Sequence, residues 1–139
     1  MNQMKKSVWV IFWILVAVFI LSILTMFTPV LRLPFSLNVF AAWPVILGLG
    51  VALIVLTVRS KVPGKLNKFL LLTGASAVGL PVFAVLHNAV SALFNLEEAV
   101  FFTLATIVCP LGFLVGAVGT IILSIRNRPT IRTTEGGNP

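Results

Sequence analysis

The sequence predicts an all-α membrane protein with four transmembrane helices and with both termini on the cytoplasmic side. Three observations predict this fold class: the charge content is low, the charges are widely spaced, and the basic residues fall almost entirely on one side. Of the 139 residues, 59% are hydrophobic and 9% are charged, whereas a soluble domain has about 25% charged residues. Such a composition excludes an ordinary soluble domain.

The charged residues leave four long uncharged runs, which follow Lys6, Arg32, Lys68 and Glu98. Each run exceeds the roughly 20 residues that an α-helix needs to cross about 30 Å of hydrocarbon. Backbone polar groups in lipid must be hydrogen-bonded within their own segment, so each run is predicted to be helical. The predicted helices span residues 8–27, 38–58, 69–94 and 98–125.

These helices form one predicted four-helix transmembrane domain over residues 1–125, and the polar tail 126–139 is predicted to be disordered. The first helix has the positive start of a signal peptide at Lys5 and Lys6. Its apolar run is too long for a typical signal sequence, and LTMFTP lacks a small-residue cleavage site. We therefore expect an uncleaved first helix.

Basic residues predict the orientation. Nine of them fall on one side of the predicted bundle and only Arg32 falls on the other; the nine are Lys5, Lys6, Arg59, Lys61, Lys65, Lys68, Arg126, Arg128 and Arg132. By the positive-inside rule, this side is cytoplasmic in a multi-pass protein of the cell (plasma) membrane. The same basic face is expected to attract anionic lipid headgroups. A nucleic-acid partner is not expected, because the basic residues are spread over three segments that flank the membrane and accompany no known motif.

The predicted outer segment between the first two helices, 28–44, is apolar and contains Pro29, Pro34 and Pro44. An irregular apolar segment cannot lie in lipid, so it must lie in the interface or pack on protein. Two interpretations stay open. The segment is a lid or short interfacial helix, or it is a plain connection.

A weak internal similarity indicates a two-plus-two parallel repeat. ALIVLTVRSK at 52–61 aligns without gaps on GTIILSIRNR at 119–128. Repeats of this kind occur in transporters, whose sites lie at the repeat interface.

Small residues recur on one face of the predicted fourth helix at steps of four, three, four and three: Ala105, Cys109, Gly112, Gly116 and Gly119. The third helix has a comparable stripe that includes Ala77, Pro81, Ala84, Asn88 and Ser91. Small residues allow helices to approach closely in lipid. The two stripes are predicted to pack on each other or on the second helix at Gly48, and the alternative is a partner subunit.

Two prolines are predicted to interrupt backbone hydrogen bonding inside helices. Pro81 frees the carbonyl of Ala77, and Pro110 frees the carbonyl of Thr106. Both prolines are expected at a similar depth, and paired broken helices are one indication of a transporter. The alternative is an ordinary kink, which neighbouring groups repair.

The single histidine and two of the three acidic residues lie near one predicted outer turn. The candidate polar site consists of His87, Asn88, Glu97 and Glu98, with Arg32 approaching from the other outer loop. It would be an outward-facing proton or cation site. The alternative is structural, because Asn95 followed by Glu98 is a variant of the capping box, and carboxylates in the first turn complement the helix dipole.

Other site classes lack the necessary residues. The chain has no Asp, no Tyr, one His and one Cys, so no catalytic constellation and no metal-ligand spacing is present. Cys109 alone cannot form an intrachain disulfide. No catalytic residue, no metal and no cofactor is predicted.

Two stretches, KLNKFLLLTGASAVGLPVFAVLHNAV and EEAVFFTLATIVCPLGFLVGAVG, resemble parts of small, uncharacterised multi-pass membrane proteins of prokaryotes. The resemblance covers roughly the second half of the chain. It implies a small four-helix membrane protein and no particular activity, so it assigns no role to any residue.

The function expected from the sequence is that of a small non-catalytic polytopic membrane protein. It would be a subunit or an oligomer-forming helix-packing module whose partners are the lipid bilayer and either itself or another membrane subunit. One alternative is a small ion or solute transporter or channel that uses the outward-facing polar site. A second alternative is a haem or quinone membrane anchor, which rests on His87 alone, and one histidine supplies at most one axial ligand.

Overall fold

A computed structural model describes residues 2–27, 39–62, 64–94 and 99–126 of the chain. The elements are α1 (Asn2–Phe27), α2 (Val39–Arg59), α3 (Gly64–Phe94), α4 (Ala99–Thr103), a π-helical segment (Leu104–Val108) and α5 (Cys109–Arg126). The last three follow one another without a break, and together they form the fourth span, Ala99–Arg126.

The described residues form an all-helical structure with four helices that are long and apolar enough to cross a membrane, and this part of the predicted fold class is confirmed. The third helix begins at Gly64, five residues before the predicted start at 69. The second begins at Val39, so the last six residues of the predicted outer segment 28–44 are helical. The rest of that segment, 28–38, lies outside the described residues, as does the tail from 127 onward.

A short turn at the basic end joins α2 to α3. The helical hydrogen bonding of α2 closes with Ser60 N–H donating to the Leu56 carbonyl at 2.8 Å. Lys61 then takes a positive φ of 45°, and Gly64 takes a φ of 68°. Left-handed residues of this kind commonly end a helix, and glycine adopts that conformation at no steric cost. The turn makes α2 and α3 antiparallel neighbours.

Sequential helices pack side by side, and α3 is central because it packs on α2 and on the fourth span. On the other side, α1 packs on α2. It also reaches α5, because the ring of Phe19 stacks on that of Phe113 with centroids 3.8 Å apart and planes at 12°. The four helices therefore close into a bundle.

The bundle interior is filled by apolar side chains from all four spans. The largest of these fully buried side chains are Phe12, Leu15, Phe19, Ile46, Leu53, Leu70 and Phe113. In the most apolar stretch of each span, between 22% and 33% of the residues are buried inside the bundle. The remaining surface is dominated by exposed aliphatic and aromatic side chains, as is expected of helices that face lipid.

The charged groups of the described residues all lie at one end of the bundle. They stand at the start of α1, around the α2–α3 turn and at the end of α5, and they are Lys5, Lys6, Arg59, Lys61, Lys65, Lys68 and Arg126. The described ranges contain no carboxylate, because Glu97, Glu98 and Glu135 fall outside them.

Candidate functional site

His87 lies near the C-terminal end of α3, where it is half-buried beside the start of the fourth span. Its ring centroid is 5.4 Å from that of Phe102, with the planes tilted at 53°. One turn earlier, Phe83 stacks on Phe101 at 6.3 Å. These two aromatic contacts hold the C-terminal end of α3 against α4, and they give His87 a packing role.

The neighbouring Asn88 is exposed, and its Nδ2 donates to the Ala84 carbonyl at 2.9 Å. This bond satisfies one donor of the Asn88 side-chain amide, and such bonds from a polar side chain to the carbonyl four residues back are common in helices. The structure places His87 and Asn88 on adjacent positions of α3. The other members of the predicted polar site, Arg32, Glu97 and Glu98, lie outside the described residues. So does the predicted cap Asn95, so both the polar site and the capping box stay predictions.

The small-residue face of the fourth span packs on α3. A Cβ added at Gly112 would lie 2.5 Å from Ser76 Oγ, and one at Gly116 would lie 2.7 Å from the backbone N of Thr73. At Gly119 it would overlap the ring of Phe69. These glycines therefore allow a helix approach that any side chain would prevent, as expected for helix association in lipid.

Cys109 and Ala105 continue this face toward the N-terminal end of the fourth span, and both are buried. A Cβ at Gly79 would lie 2.9 Å from Cys109 Sγ, so the thiol packs directly on α3. The cysteine thus serves as a small apolar packing residue.

The partner face of α3 differs from the predicted stripe. The fourth-span glycines meet Phe69, Thr73 and Ser76, whereas Ala77 is fully buried toward α2, against Gly50. Farther along the predicted stripe, Pro81 is buried, Ala84 and Ser91 are half-buried and Asn88 is exposed.

The predicted contact at Gly48 is wrong, because an added Cβ there would have open space around it. The glycine of α2 that packs on α3 is Gly50, two positions farther along. A Cβ at Gly50 would lie 3.1 Å from the Gly74 carbonyl oxygen and 3.3 Å from Ala77 Cβ. The sequence shows which glycines are available, but two glycines two positions apart point to different sides of a helix.

The fourth span, predicted as a helix over 98–125 with a break at Pro110, is helical over Ala99–Arg126 but is not α-helical throughout. The π-helical segment Leu104–Val108 interrupts it, and the Cys109 N–H donates to the Leu104 carbonyl five residues back. Pro110 follows directly, and a proline ring clashes with the carbonyl four residues before it in a regular α-helix. The wider π-helical turn before Pro110 avoids that clash. Pro81, by contrast, lies inside α3, which stays α-helical around it.

The bundle also contains a layer of buried polar side chains that was not predicted from the sequence. Thr57 and Thr120 are fully buried, and in the described part of the chain neither Oγ1 atom has a hydrogen-bond partner. Gly50 of α2 packs against Gly74 of α3. Because the two helices are antiparallel, Thr57, two turns after Gly50, lies beside residues 67–70 of α3. Thr120 adjoins Gly119, which packs on Phe69, so it reaches the same level.

Asn67 stands at this level too, and its Oδ1 is likewise buried without a partner among the described residues. Three polar atoms from three helices therefore share one level, the interior polar level of Thr57, Asn67 and Thr120. Other hydroxyls bond their own helix instead, as Thr73 Oγ1 does to the Phe69 carbonyl at 2.9 Å. Buried unpaired polar atoms are uncommon and cost free energy, so they merit a functional explanation.

Metal chemistry finds no support in the described ranges, where no group of three His, Cys, Asp or Glu side chains lies close enough to hold an ion. The prediction of no metal site is not tested by this, because the glutamates lie outside those ranges.

Comparisons with protein-family models, with curated protein sequences and with solved structures gave no match. The resemblance of the second half to small prokaryotic membrane proteins therefore stays a prediction.

Proposed function

We propose that this chain is a small non-catalytic membrane protein that works as a subunit or oligomer-forming helix-packing module. The observation that supports it best is the double glycine contact of α3. Gly50 of α2 packs on one side of α3, and Gly112, Gly116 and Gly119 of the fourth span pack on the other. Because backbone packs against backbone at both interfaces, the bundle suits a rigid scaffold.

The glycine face is occupied inside the bundle, so a partner would have to pack on an outer face. Each of three spans offers one: Ile14 of α1 is 45% exposed, Val55 of α2 is 43% exposed and Leu114 of the fourth span is 52% exposed. A photo-reactive amino acid at each position in turn would test the proposal in the native membrane.

The proposal expects a discrete cross-linked product of constant mass from at least one of the three faces. Unirradiated samples of the same variants are the control. Absence of any discrete product from all three faces, together with a monomer mass in mild detergent, would contradict it.

The proposed orientation has both termini at the cytoplasmic side of the cell membrane. Its support is the gathering of Lys and Arg at one end of the bundle, since such residues are retained on the cytoplasmic side. A cysteine replacing Lys65 should be shielded from impermeant thiol reagents in intact cells, and one replacing Asn95 should be labelled. Labelling of position 65 from outside would overturn the orientation.

The two-plus-two repeat finds support in one helix of each half. At the offset of 67, buried Ile46, Gly50 and Leu53 of α2 align with Phe113, Ala117 and Thr120 of α5, which are also buried. The first helices of the two halves do not agree, since buried Leu15 and Phe19 align with exposed Val82 and Leu86.

A second candidate function, passage of an ion or a polar solute, is favoured by the interior polar level. The π-helical segment supports it as well, because π turns inside α-helices are frequent at functional sites. Flux through reconstituted vesicles should then fall in the variants Thr57→Val and Thr120→Val, which keep side-chain shape and remove the hydroxyl. Flux that both variants leave unchanged would remove this candidate.

A further inference from the structure

Near the basic end, α1 and the fourth span leave a groove of about 510 Å³ between them. Trp9 and Trp13 line it from α1, and Ile121, Ser124 and Ile125 line it from α5. Trp13 is 52% exposed and Ile125 is 61% exposed. The groove is therefore open on the side that faces lipid.

Three exposed basic residues stand at the mouth of this groove. Lys5 is four residues before Trp9, which puts both on one face of α1, and Lys6 is beside it. Arg126 directly follows Ile125, which shares the groove with Trp9. Cations from both walls thus lie at the same end of the groove, Lys5 and Lys6 about one turn beyond Trp9 and Arg126 directly beyond Ile125.

The described ranges contain no carboxylate that could pair with these cations, since Glu97, Glu98 and Glu135 fall outside those ranges. Lysine and arginine are good donors to phosphate oxygens. The Ser124 residue adds a hydroxyl to the groove wall. Below this polar mouth the lining is aromatic and aliphatic, so the surface matches a ligand with an anionic head and an apolar body.

We propose that the groove binds one anionic phospholipid of the leaflet at the basic end. The phosphate lies near Lys5, Lys6 and Arg126, and an acyl chain lies along Trp9 and Trp13. From Lys6 to Trp13 the helix rises about 10 Å, which matches a headgroup and the upper part of a chain. The amphipathic tryptophan ring suits this interfacial depth.

A second groove provides the contrast. It lies between α2 and α3 at the other end, has a volume of about 660 Å³, and has only Trp43, Pro44, Leu47, Pro81, Val82, Val85 and Leu86 as lining residues. None of these is charged, so an acyl chain there would gain no headgroup selectivity. The two grooves carry all three tryptophans of the chain.

Fluorescence quenching by lipids with brominated acyl chains tests the proposal, because bromine quenches tryptophan at contact and so reports the chain of a bound lipid. The Trp43→Phe variant keeps only Trp9 and Trp13. It is reconstituted in phosphatidylcholine vesicles that contain a rising fraction of either brominated phosphatidylglycerol or brominated phosphatidylcholine. Wild-type protein is measured in parallel and should show the same preference with smaller amplitude.

We expect brominated phosphatidylglycerol to quench Trp9 and Trp13 at lower mole fractions than brominated phosphatidylcholine does. In Lys5→Gln/Lys6→Gln this preference should fall by about fivefold for each charge removed. The matched control is Lys65→Gln/Lys68→Gln, which removes the same charge at the same end, away from the groove, and should leave the preference unchanged. Trp9→Phe/Trp13→Phe, which reports from Trp43, should be quenched equally by both lipids.

Three results would each overturn the proposal. The first is equal quenching of Trp9 and Trp13 by the two lipids. The second is an equal loss of preference in the two double lysine variants, which would indicate a diffuse surface potential. The third is the same preference at Trp43, which would remove the link to this groove.

Discussion

Gly116 of the fourth span lies directly on the backbone of Thr73 in α3. A Cβ at position 116 would lie 2.7 Å from the Thr73 backbone N and 3.0 Å from the Phe69 carbonyl oxygen. Backbone atoms cannot move aside as the end of a side chain can, so this contact sets the distance between the two helices. The first prediction follows from it.

Gly116→Leu should force the helices apart and lower the thermal stability of the protein in detergent. Overpacking of this kind costs about 1–3 kcal/mol or more. Leu114→Ala, at a position that is 52% exposed, is the control and should change the midpoint much less. Equal shifts for the two variants would mean that Gly116 is not at an interface.

A matched pair in α2 tests the other side of α3. Gly50→Leu should destabilise the protein, since a Cβ there already lies 2.9 Å from Val78 Cγ2 and 3.1 Å from the Gly74 carbonyl oxygen. Gly48→Leu makes the same change two residues earlier, where an added Cβ has open space. Its melting temperature should stay at or above that of the wild type, because leucine has a higher helix propensity than glycine. The reverse order of the two effects would show that α2 is rotated.

The interior polar level allows a test of what the buried hydroxyls do. In a rigid scaffold, Thr57→Val and Thr120→Val replace an unpaired buried oxygen with a methyl group, so each should raise the free energy of unfolding by about 1–3 kcal/mol. Thr73→Val is the control, because the Thr73 hydroxyl bonds the Phe69 carbonyl, and it should not stabilise. Loss of stability in the first two variants would favour the transport candidate, in which a polar ligand bonds these oxygens.

The role of His87 can be measured by coupling energies. Its ring lies 5.4 Å from that of Phe102, and aromatic pairs of this kind contribute about 0.5–1.5 kcal/mol. A double-mutant cycle of His87→Ala with Phe102→Ala should show coupling of that size. The cycle of His87→Ala with Glu98→Gln should be additive within about 0.5 kcal/mol. Coupling above about 1 kcal/mol to Glu98 would instead indicate a functional charged pair.

Asn95 and Glu98 supply the control for that cycle. If Asn95 caps the helix, the Asn95→Ala variant should have a free energy of unfolding about 0.5–2 kcal/mol lower than that of the wild type. Glu98→Gln keeps the acceptor for the backbone N–H and should cost little.

Charge spacing alone was sufficient to predict the four helices, because the cost of placing Lys, Arg or Glu in hydrocarbon restricts these residues to helix ends. The small-residue face of the fourth span was also visible in the sequence, since steps of three and four put Gly112 and Gly116 on one side. What the sequence did not reveal is the partner face. Small apolar residues pointed to Ala77 and Pro81, whereas the polar Thr73 and Ser76 meet the glycines.

Two further features lacked a sequence signal. The π-helical segment at Leu104–Val108 is one of several ways a helix accommodates the proline that follows, and the sequence does not choose among them. The interior polar level was missed because a threonine in an apolar helix usually bonds the carbonyl four residues back, as Thr106 does to Phe102 at 2.7 Å. Nothing local distinguishes Thr57 or Thr120 from such residues.

The fourth span packs on α3 through its small-residue face in a single register. The most direct test uses the single native cysteine. A Cβ at position 79 would lie 2.9 Å from Cys109 Sγ, and a disulfide joins Cβ atoms about 3.8 Å apart through an S–S bond of about 2.05 Å.

Gly79→Cys is oxidised in native membranes, remaining thiols are alkylated, and the intact mass is measured. We expect an intramolecular disulfide with no alkylated thiol, whereas the control Gly48→Cys, with open space around it, should keep two alkylated thiols. Two alkylated thiols in Gly79→Cys, or only disulfide-linked dimers, would contradict the packing of α3 on the fourth span.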